Sequence, residues 1–249
     1  MIVTLLTDFG VQDSYVAEMK GVLLARAPET QLVDITHHVS LGDIRAAQYL
    51  LSRTWNQFPR GTVHVAVVDP GVGTERRALA AESAGHRFLA PDNGLLSFLP
   101  DDARFFSLPV SRDAAPTFHG RDVFAPAAAT LVLGEPIESL GSPVAHPVRT
   151  PLPVARIAAA GVSGEVIYVD RYGTLVSNVP SSAVKPGARI HVGGQDVGPL
   201  RRTFADGARG DVVAFSGSAG TVEVAVRDGS AAVKLNAGVG AHVRAEQRQ

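Results

Sequence analysis

Apolar residues in the first half of the chain fall into short unbroken runs separated by stretches with helical spacing. Ile2 to Leu6 is the first run, and it ends at Thr7-Asp8-Phe9-Gly10. A helical pattern follows from about Asp13 to Ala27 and is closed by Pro28, which cannot continue a helix. Gln31 to Ile35 reads as a second strand. Residues 42–54 read as a second helix, with Ile44, Ala47, Leu50 and Leu51 at helical spacing. Thr62 to Val68 is a valine-rich buried strand, and Phe88 to Ala90 a strand entering the turn Pro91-Asp92-Asn93-Gly94. Asp122 to Leu133 reads as an alanine-rich helix. Continuous apolar strands alternating with helices predict an α/β domain whose largely parallel sheet is covered on both faces.

The pattern then changes. Residues 142–154 carry Pro143, Pro147, Pro151 and Pro153, so a stiff, poorly helical linker is expected over 142–159. Beyond it lie short β-like runs, Glu165 to Asp170, Arg189 to Val192, Asp211 to Phe215, Thr221 to Val226 and Gly240 to Arg244, with glycine-containing turns between them. They predict a smaller all-β, barrel-like domain. The expected division is therefore residues 1–150 and residues 160–249, and a chain of 249 residues accommodates two such domains.

Composition narrows the function classes. Hydrophobic residues make up 45% and charged residues 19%, as in an ordinary globular protein. The formal net charge of −1 and the scattered basic residues argue against nucleic acid or an anionic membrane as partner. No apolar run approaches the roughly 18–20 residues of a membrane span, and Met1 to Gly10 lacks a secretory signal pattern. The chain contains no cysteine, which removes disulfides, thiolate metal sites and a thiol nucleophile and fits a soluble cytoplasmic protein.

Ligands of open α/β sheets collect at the carboxyl ends of the strands. The candidates there are Asp8, then Asp34, Thr36 and His37, and then Asp69, which leads into Pro70-Gly71-Val72-Gly73-Thr74-Glu75-Arg76-Arg77. Asp69 follows a buried strand and precedes glycines that permit close approach of a ligand; the plainer reading is an aspartate that caps its own loop. Asp8 either starts a turn or holds a sugar diol. His119, in Phe118-His119-Gly120-Arg121-Asp122 before a helix, is either a satisfied structural histidine or a site residue. His64, on a strand, reads as structural. A metal set of Asp8, His37, Asp69 and His119 matches no zinc or calcium spacing, and Gly71 and Gly73 match neither a dinucleotide nor a phosphate-loop fingerprint.

At these residues the chain resembles the S-adenosylmethionine hydroxide adenosyltransferases, relatives of the bacterial fluorinases and chlorinases. The resemblance runs nearly end to end, through Thr7-Asp8-Phe9-Gly10, Met19-Lys20-Gly21, Val33-Asp34-Ile35-Thr36-His37 and Val67-Val68-Asp69-Pro70-Gly71-Val72-Gly73-Thr74. It continues through Ala90-Pro91-Asp92-Asn93-Gly94-Leu95-Leu96 and Phe118-His119-Gly120-Arg121-Asp122, and in the β domain through Tyr168-Val169-Asp170-Arg171-Tyr172-Gly173 and Gly229-Ser230-Ala231-Ala232. The resemblance implies that Asp69, Arg76 and His119 form the family's water-handling set. Halogenating relatives carry a tyrosine in place of Asp69 and no histidine in place of His119, and the fluorinase has a serine at the place of Gly120. The water-using branch is therefore implied.

Further roles follow by position in the same family. Asp8 corresponds to the carboxylate on the ribose diol, Phe118 to a wall of the reaction pocket beside Gly120, and Asp170 to the partner of the methionine ammonium. Ser218 falls where the family contacts the methionine carboxylate, and the backbone near Asp228 where it contacts adenine. The chain departs from the family at Thr174, usually asparagine. It also has Gly217-Ser218 and Arg227-Asp228-Gly229-Ser230 where Asn-Ser and Asn-Arg-Gly-Ser are common.

The implied reaction is hydrolysis of S-adenosylmethionine to adenosine and methionine by in-line attack of water on the ribose 5′ carbon. The sulfonium is already an activated leaving group, so neither metal nor cofactor is expected. Asp69 and His119 would bind the water and remove its proton, with Arg76 fixing the carboxylate; which of the two accepts the proton stays open from sequence. The resemblance further implies a homotrimer with active sites between the α/β domain of one subunit and the β domain of the next. Three alternatives are a halide-using adenosyltransferase on the same scaffold, a metal-dependent phosphoester hydrolase, and a nucleoside-binding module without turnover.

Overall fold

The apolar runs of the first half become the parallel core of a seven-stranded sheet. The structure is a computed structural model that describes residues 1–159, 161–185 and 187–246. The chain divides into two units, Met1–Pro151 and Leu152–Gln249. In the first, the strands are Ile2–Thr7 (β1), Gln31–Thr36 (β2), Val63–Val67 (β3), Ala78–Ser83 (β4), His86–Pro91 (β5), Arg104–Leu108 (β6) and Ser142–Pro143 (β7). Their order is β2-β1-β3-β5-β4-β6-β7. The four strands β2, β1, β3 and β5 run parallel, and β4, β6 and β7 extend the sheet by antiparallel pairing.

Helices Tyr15–Arg26 (α1), Ile44–Thr54 (α2) and Ala125–Val132 (α3) cover the sheet. Asp43 caps α2, its carboxylate accepting from the Ala46 amide at 2.9 Å. Val3 and Leu5 of β1 and Val65 of β3 pack with Met19 and Leu23 of α1 and Phe124, Ala128 and Leu131 in and before α3. The chain leaves β1 for β2 on one side and returns to β3 on the other, so the sheet's direction of growth reverses at β1. A crevice at the carboxyl ends of β1 and β3 is the consequence.

In this unit β4, β6 and the two-residue β7 were not expected from the apolar pattern. The alanine-rich β4 has weak intrinsic strand preference and forms because β5 and β6 flank it on both edges. The helix expected from Asp122 begins as a π-helical turn, Gly120–Phe124, that runs into α3. Residues 142–150 of the expected linker are hydrogen-bonded into this unit: the Val144 amide reaches the Phe105 carbonyl, and the Thr150 amide the Ser97 hydroxyl.

The second unit contains Arg156–Ala158 (β8), Gly161–Val169 (β9), Leu175–Pro180 (β10), Arg189–Val192 (β11), Gln195–Arg201 (β12), Val212–Ser216 (β13), Thr221–Val226 (β14) and His242–Glu246 (β15), with a short helix Ala231–Lys234 (α4). Strands β10-β14-β13-β12-β11-β15-β9 close into a seven-stranded barrel through the β9–β10 pairing, and β8 adds to β9 at its edge. Alternation is clean in β14. Val222, Val224 and Val226 enter the barrel core with Leu175, Ile190 and Val243, while Thr221, Glu223 and Ala225 face outward.

Candidate active site

The crevice at the end of β3 is built from a short loop. Strand pairing stops at Val67, and Val68 and Asp69 continue into a turn in which the Val72 amide donates to the Asp69 carbonyl at 3.2 Å. The loop brings Arg76 back onto Asp69. Arg76 Nε donates to Asp69 Oδ1 at 2.9 Å, and its Nη2 donates to Oδ2, giving a two-pronged ion pair. Both side chains are nearly covered, at 4% exposure for Asp69 and 10% for Arg76. Arg76 Nη2 also lies 2.9 Å from His119 Nδ1. The three residues implied by the resemblance thus touch one another through a single guanidinium.

That contact fixes the chemistry of His119. A guanidinium only donates, so Nδ1 must accept and the neutral ring carries its proton on Nε2. Burial pushes the His119 pKa below its ordinary value, and the positive charge of Arg76 pushes it the same way; Asp69 and Asp122 oppose them. His119 is 5% exposed. It caps the π-helical turn, and π-turns are frequent at functional sites. The segment ahead of it is tied down by Asp122, whose Oδ2 accepts from the Ala115 amide at 2.8 Å. Arg76 Nη1 is buried and makes no hydrogen bond among the described residues.

The loop and the His119 segment interlock at Gly73. Its φ is +78°, and a Cβ there would stand 2.8 Å from the Pro116 carbonyl oxygen. Only glycine allows that approach.

Asp8, at the end of β1, and Phe118 line a cleft of about 500 Å³ together with Phe9, Asp13, Tyr15 and Arg121. One carboxylate oxygen of Asp8 is held by the Gly42 amide at 2.8 Å. Phe118 stands edge-on to Tyr15, with ring centroids 5.3 Å apart, and Arg121 lies over its face at 4.9 Å. Gly120 packs below: a Cβ there would meet Met19 Sδ at 3.0 Å and the Phe9 ring at 3.3 Å. His37 stays apart from this cleft, bonded to Thr7 Oγ1 at 2.9 Å and 3.1 Å from Asp34. Among the described residues no three histidine, aspartate or glutamate side chains are grouped as a metal would require.

In the second unit Asp170, Ser218 and Asp228 line one cavity of about 770 Å³ on the outer side of the barrel. Asp170 is rigidly held, its Oδ1 accepting from the Tyr172 and Thr174 amides at 2.9 and 2.8 Å. Asp228 has a left-handed φ of +62° and pairs with Arg209 at 2.9 Å. Phe204 and Phe215 form an aromatic pair on the same wall, with centroids 6.1 Å apart, and Tyr172 and Glu223 complete it. Sequence reading did not single out these last four. Phe215 and Glu223 lie in expected strands, and only barrel closure shows which wall they share. The Asp92-Asn93 pair beside the Asp69 loop reads from sequence as part of a turn and of the resemblance, with no role of its own.

Comparison with known proteins places the whole chain in a family. The family model for the SAM hydroxide adenosyltransferase N-terminal domain matches residues 3–141, and that for the C-terminal domain matches residues 164–244. An (R)-S-adenosyl-L-methionine hydrolase of Thermus thermophilus is 44% identical, covering 96% of this chain and 97% of its own. One of Salinispora tropica is 38% identical, covering 96% and 95%. A solved structure of an uncharacterized conserved protein from Thermotoga maritima superposes with a TM-score of 0.91 at 31% identity, over 99% of this chain and 100% of that one. With both domain models matched in order and the similarity spanning the whole length, the chain belongs to the SAM hydroxide adenosyltransferase family.

Proposed function

We propose that this enzyme hydrolyses S-adenosyl-L-methionine to adenosine and L-methionine, with Asp69, Arg76 and His119 handling the water. The observation that carries the reading is the shared Arg76 guanidinium, which holds a carboxylate with two bonds and accepts no proton from His119. Water attacks the ribose 5′ carbon in line with the sulfonium. The new C–O bond forms as the C–S bond breaks, its electron pair stays on sulfur, and neutral methionine leaves. One water proton must be removed.

The geometry favours Asp69 as its acceptor. His119 Nδ1 is occupied by an Arg76 N–H, and Nε2 already bears a proton, so the neutral ring donates to the water from Nε2 and orients it. Arg76 keeps the carboxylate in place, and its Nη1 supplies one further buried donor. The near-dry setting of these groups strengthens each of these interactions. Positive charge is lost from sulfur in the transition state, which a low-dielectric pocket also favours.

Substrate contacts divide between the two units. Asp8 takes the ribose hydroxyls and Phe118, beside Gly120, walls the sugar; Asp170 takes the methionine ammonium, Ser218 its carboxylate, and the backbone at Asp228 the adenine. A homotrimer, with sites between the α/β domain of one subunit and the β domain of the next, completes the reading and is tested by light scattering. A cytoplasmic location is inferred from the cysteine-free composition, and no helix among the described residues is long and apolar enough to cross a membrane.

The deciding experiment is chromatography of products from purified protein and S-adenosyl-L-methionine, with and without chloride and EDTA. Adenosine and methionine in equal amounts, unchanged by either addition, are expected. A 5′-chloro-adenosine product would select the halide reaction, and loss of activity with EDTA would select metal-dependent chemistry.

A further inference from the structure

The turn Pro91-Asp92-Asn93-Gly94 lies outside the cleft lining, yet its two polar side chains grip both ends of the Asp69–Arg76 loop. At one end Asn93 Nδ2 donates to the Val68 carbonyl at 2.9 Å, the peptide group immediately before Asp69. Asn93 Oδ1 accepts from the Leu95 amide at 3.2 Å. A carbonyl only accepts and an amide N–H only donates, so both contacts fix the orientation of the carboxamide. At the other end Asp92 Oδ2 accepts from Arg77 Nε at 2.7 Å, next to Arg76 in the chain, and the Asp92 amide donates to the Arg77 carbonyl at 2.9 Å. Asp92 Oδ1 is held by the Val148 amide at 2.7 Å.

These bonds take over where the sheet stops. The last β3–β5 pair is Val65 with Leu89, and the last β1–β3 pair is Thr7 with Val67. Val68 is fully buried beyond that point, so its carbonyl needs a partner that the ladder does not provide. The intervening loop contains Gly71 and Gly73 and has no ladder of its own, so its ends decide where Asp69 and Arg76 meet.

We propose that Asn93, supported by Asp92, is a positioning residue for the reaction: it sets the carbonyl ahead of Asp69 and thereby the aim of the Asp69–Arg76 pair at the water. The inference rests on the reading of Asp69 as a residue that handles the water. Misplacing a reacting group by about 1 Å costs on the order of a hundredfold in rate.

The test is a double-mutant cycle on S-adenosyl-L-methionine hydrolysis with Asn93→Ala, Asn93→Asp and Asp69→Asn, each variant first checked by circular dichroism and thermal unfolding. Asn93→Ala is expected to lower kcat about 10- to 100-fold while KM stays within about threefold. Asn93→Asp turns an acceptor toward the Val68 carbonyl and is expected to lose at least as much. In the Asp69→Asn background, Asn93→Ala is expected to cost less than about twofold more, because the group it aims is already gone. Wild-type kcat in folded Asn93→Ala would overturn the proposal, as would a loss that multiplies fully with that of Asp69→Asn. Failure of both Asn93 variants to fold would assign the residue to the scaffold and overturn it too. A wild-type rate in Asp69→Asn alone would instead overturn the assignment of Asp69, and is read independently of any Asn93 variant.

Discussion

Arg76 joins a carboxylate and an imidazole, and its planar fork is what allows it. A lysine carries the same charge but has neither the two-pronged geometry nor a second nitrogen for His119. Arg76→Lys is therefore expected to reduce kcat for S-adenosyl-L-methionine about a hundredfold or more, with the unfolding midpoint little changed. Steady-state kinetics on the folded variant check it, and a loss below about threefold would mean that only charge matters here. A second histidine site behaves differently. His64 is fully buried, bonded to Thr4 Oγ1 at 2.8 Å and to His86 at 3.2 Å, and burial, then the nearby His86, lowers its pKa to about 3. In the unfolded chain a histidine titrates near 6.5. Between those values the unfolded state binds a proton that the folded state refuses, so stability falls as pH drops below about 6.5 and is unaffected above it. The expected slope is about 1.4 kcal/mol per pH unit from this residue, and His86, whose pKa burial also lowers, adds to it. Urea midpoints from pH 7 to pH 4 measure the slope, and His64→Phe should make it shallower; an unchanged slope would contradict the assignment.

At the scale of elements, the site is a strand end, a six-residue loop interior and a π-helical turn locked together. Gly73 is the lock. Gly73→Ala puts a Cβ 2.8 Å from the Pro116 oxygen at a φ of +78°, so both contact and backbone conformation are unfavourable. A cost of about 1–3 kcal/mol is expected, together with a drop in kcat, because the displaced segment leads into Phe118 and His119. Gly21→Ala is the matched control: the site lies exposed in α1 with nothing within 4 Å of the new Cβ, and it should be neutral or stabilising. Thermal unfolding of the pair, with rates, separates the two effects. The same elements explain what could be read from sequence. β1, β2 and β3 are apolar runs that need no partner to be recognised, and Asp69 stands out because a buried strand gives way there to glycines. Arg76 does not stand out, since Arg77 follows it in the same polar loop and only the fold sends one to Asp69 and the other to Asp92. The β4 strand is written in alanine and exists by tertiary pairing. Asp170, Ser218 and Asp228 come from three separate turns, and only closure of the barrel through β9 and β10 puts them on one wall. Family resemblance, and not spacing, is what singles these three residues out in the sequence.

For the whole molecule, the decisive question is where the first unit ends. Proline content suggests a linker from residue 142, and the N-terminal family match stops at residue 141. The hydrogen bonds place the end later. Ser142–Pro143 pairs with β6, the Val148 amide donates to Asp92 Oδ1, Arg149 Nη1 reaches the Leu99 carbonyl at 2.8 Å, and the Thr150 amide reaches Ser97 Oγ. Proline suits this segment because it is an edge: it supplies fixed extended backbone where few amides need to donate. Removing it would uncover Asp92, a carboxylate with 3% exposure, and leave its Oδ1 without the Val148 amide. A fragment spanning residues 1–151 is therefore expected to unfold cooperatively in urea, and one spanning 1–141 to be less stable by at least about 2 kcal/mol. Because Asp92 grips Arg77 at the end of the Asp69 loop, the shorter fragment should also loosen that loop, visible as faster amide hydrogen exchange over residues 69–77 than in the longer one. Equal urea midpoints and equal exchange would show that residues 142–151 are a tether after all. The longer fragment should still lack hydrolysis of S-adenosyl-L-methionine, since the cavity holding Asp170, Ser218 and Asp228 belongs to the other unit, and a rate near that of the full chain would remove the assigned methionine and adenine contacts from the mechanism.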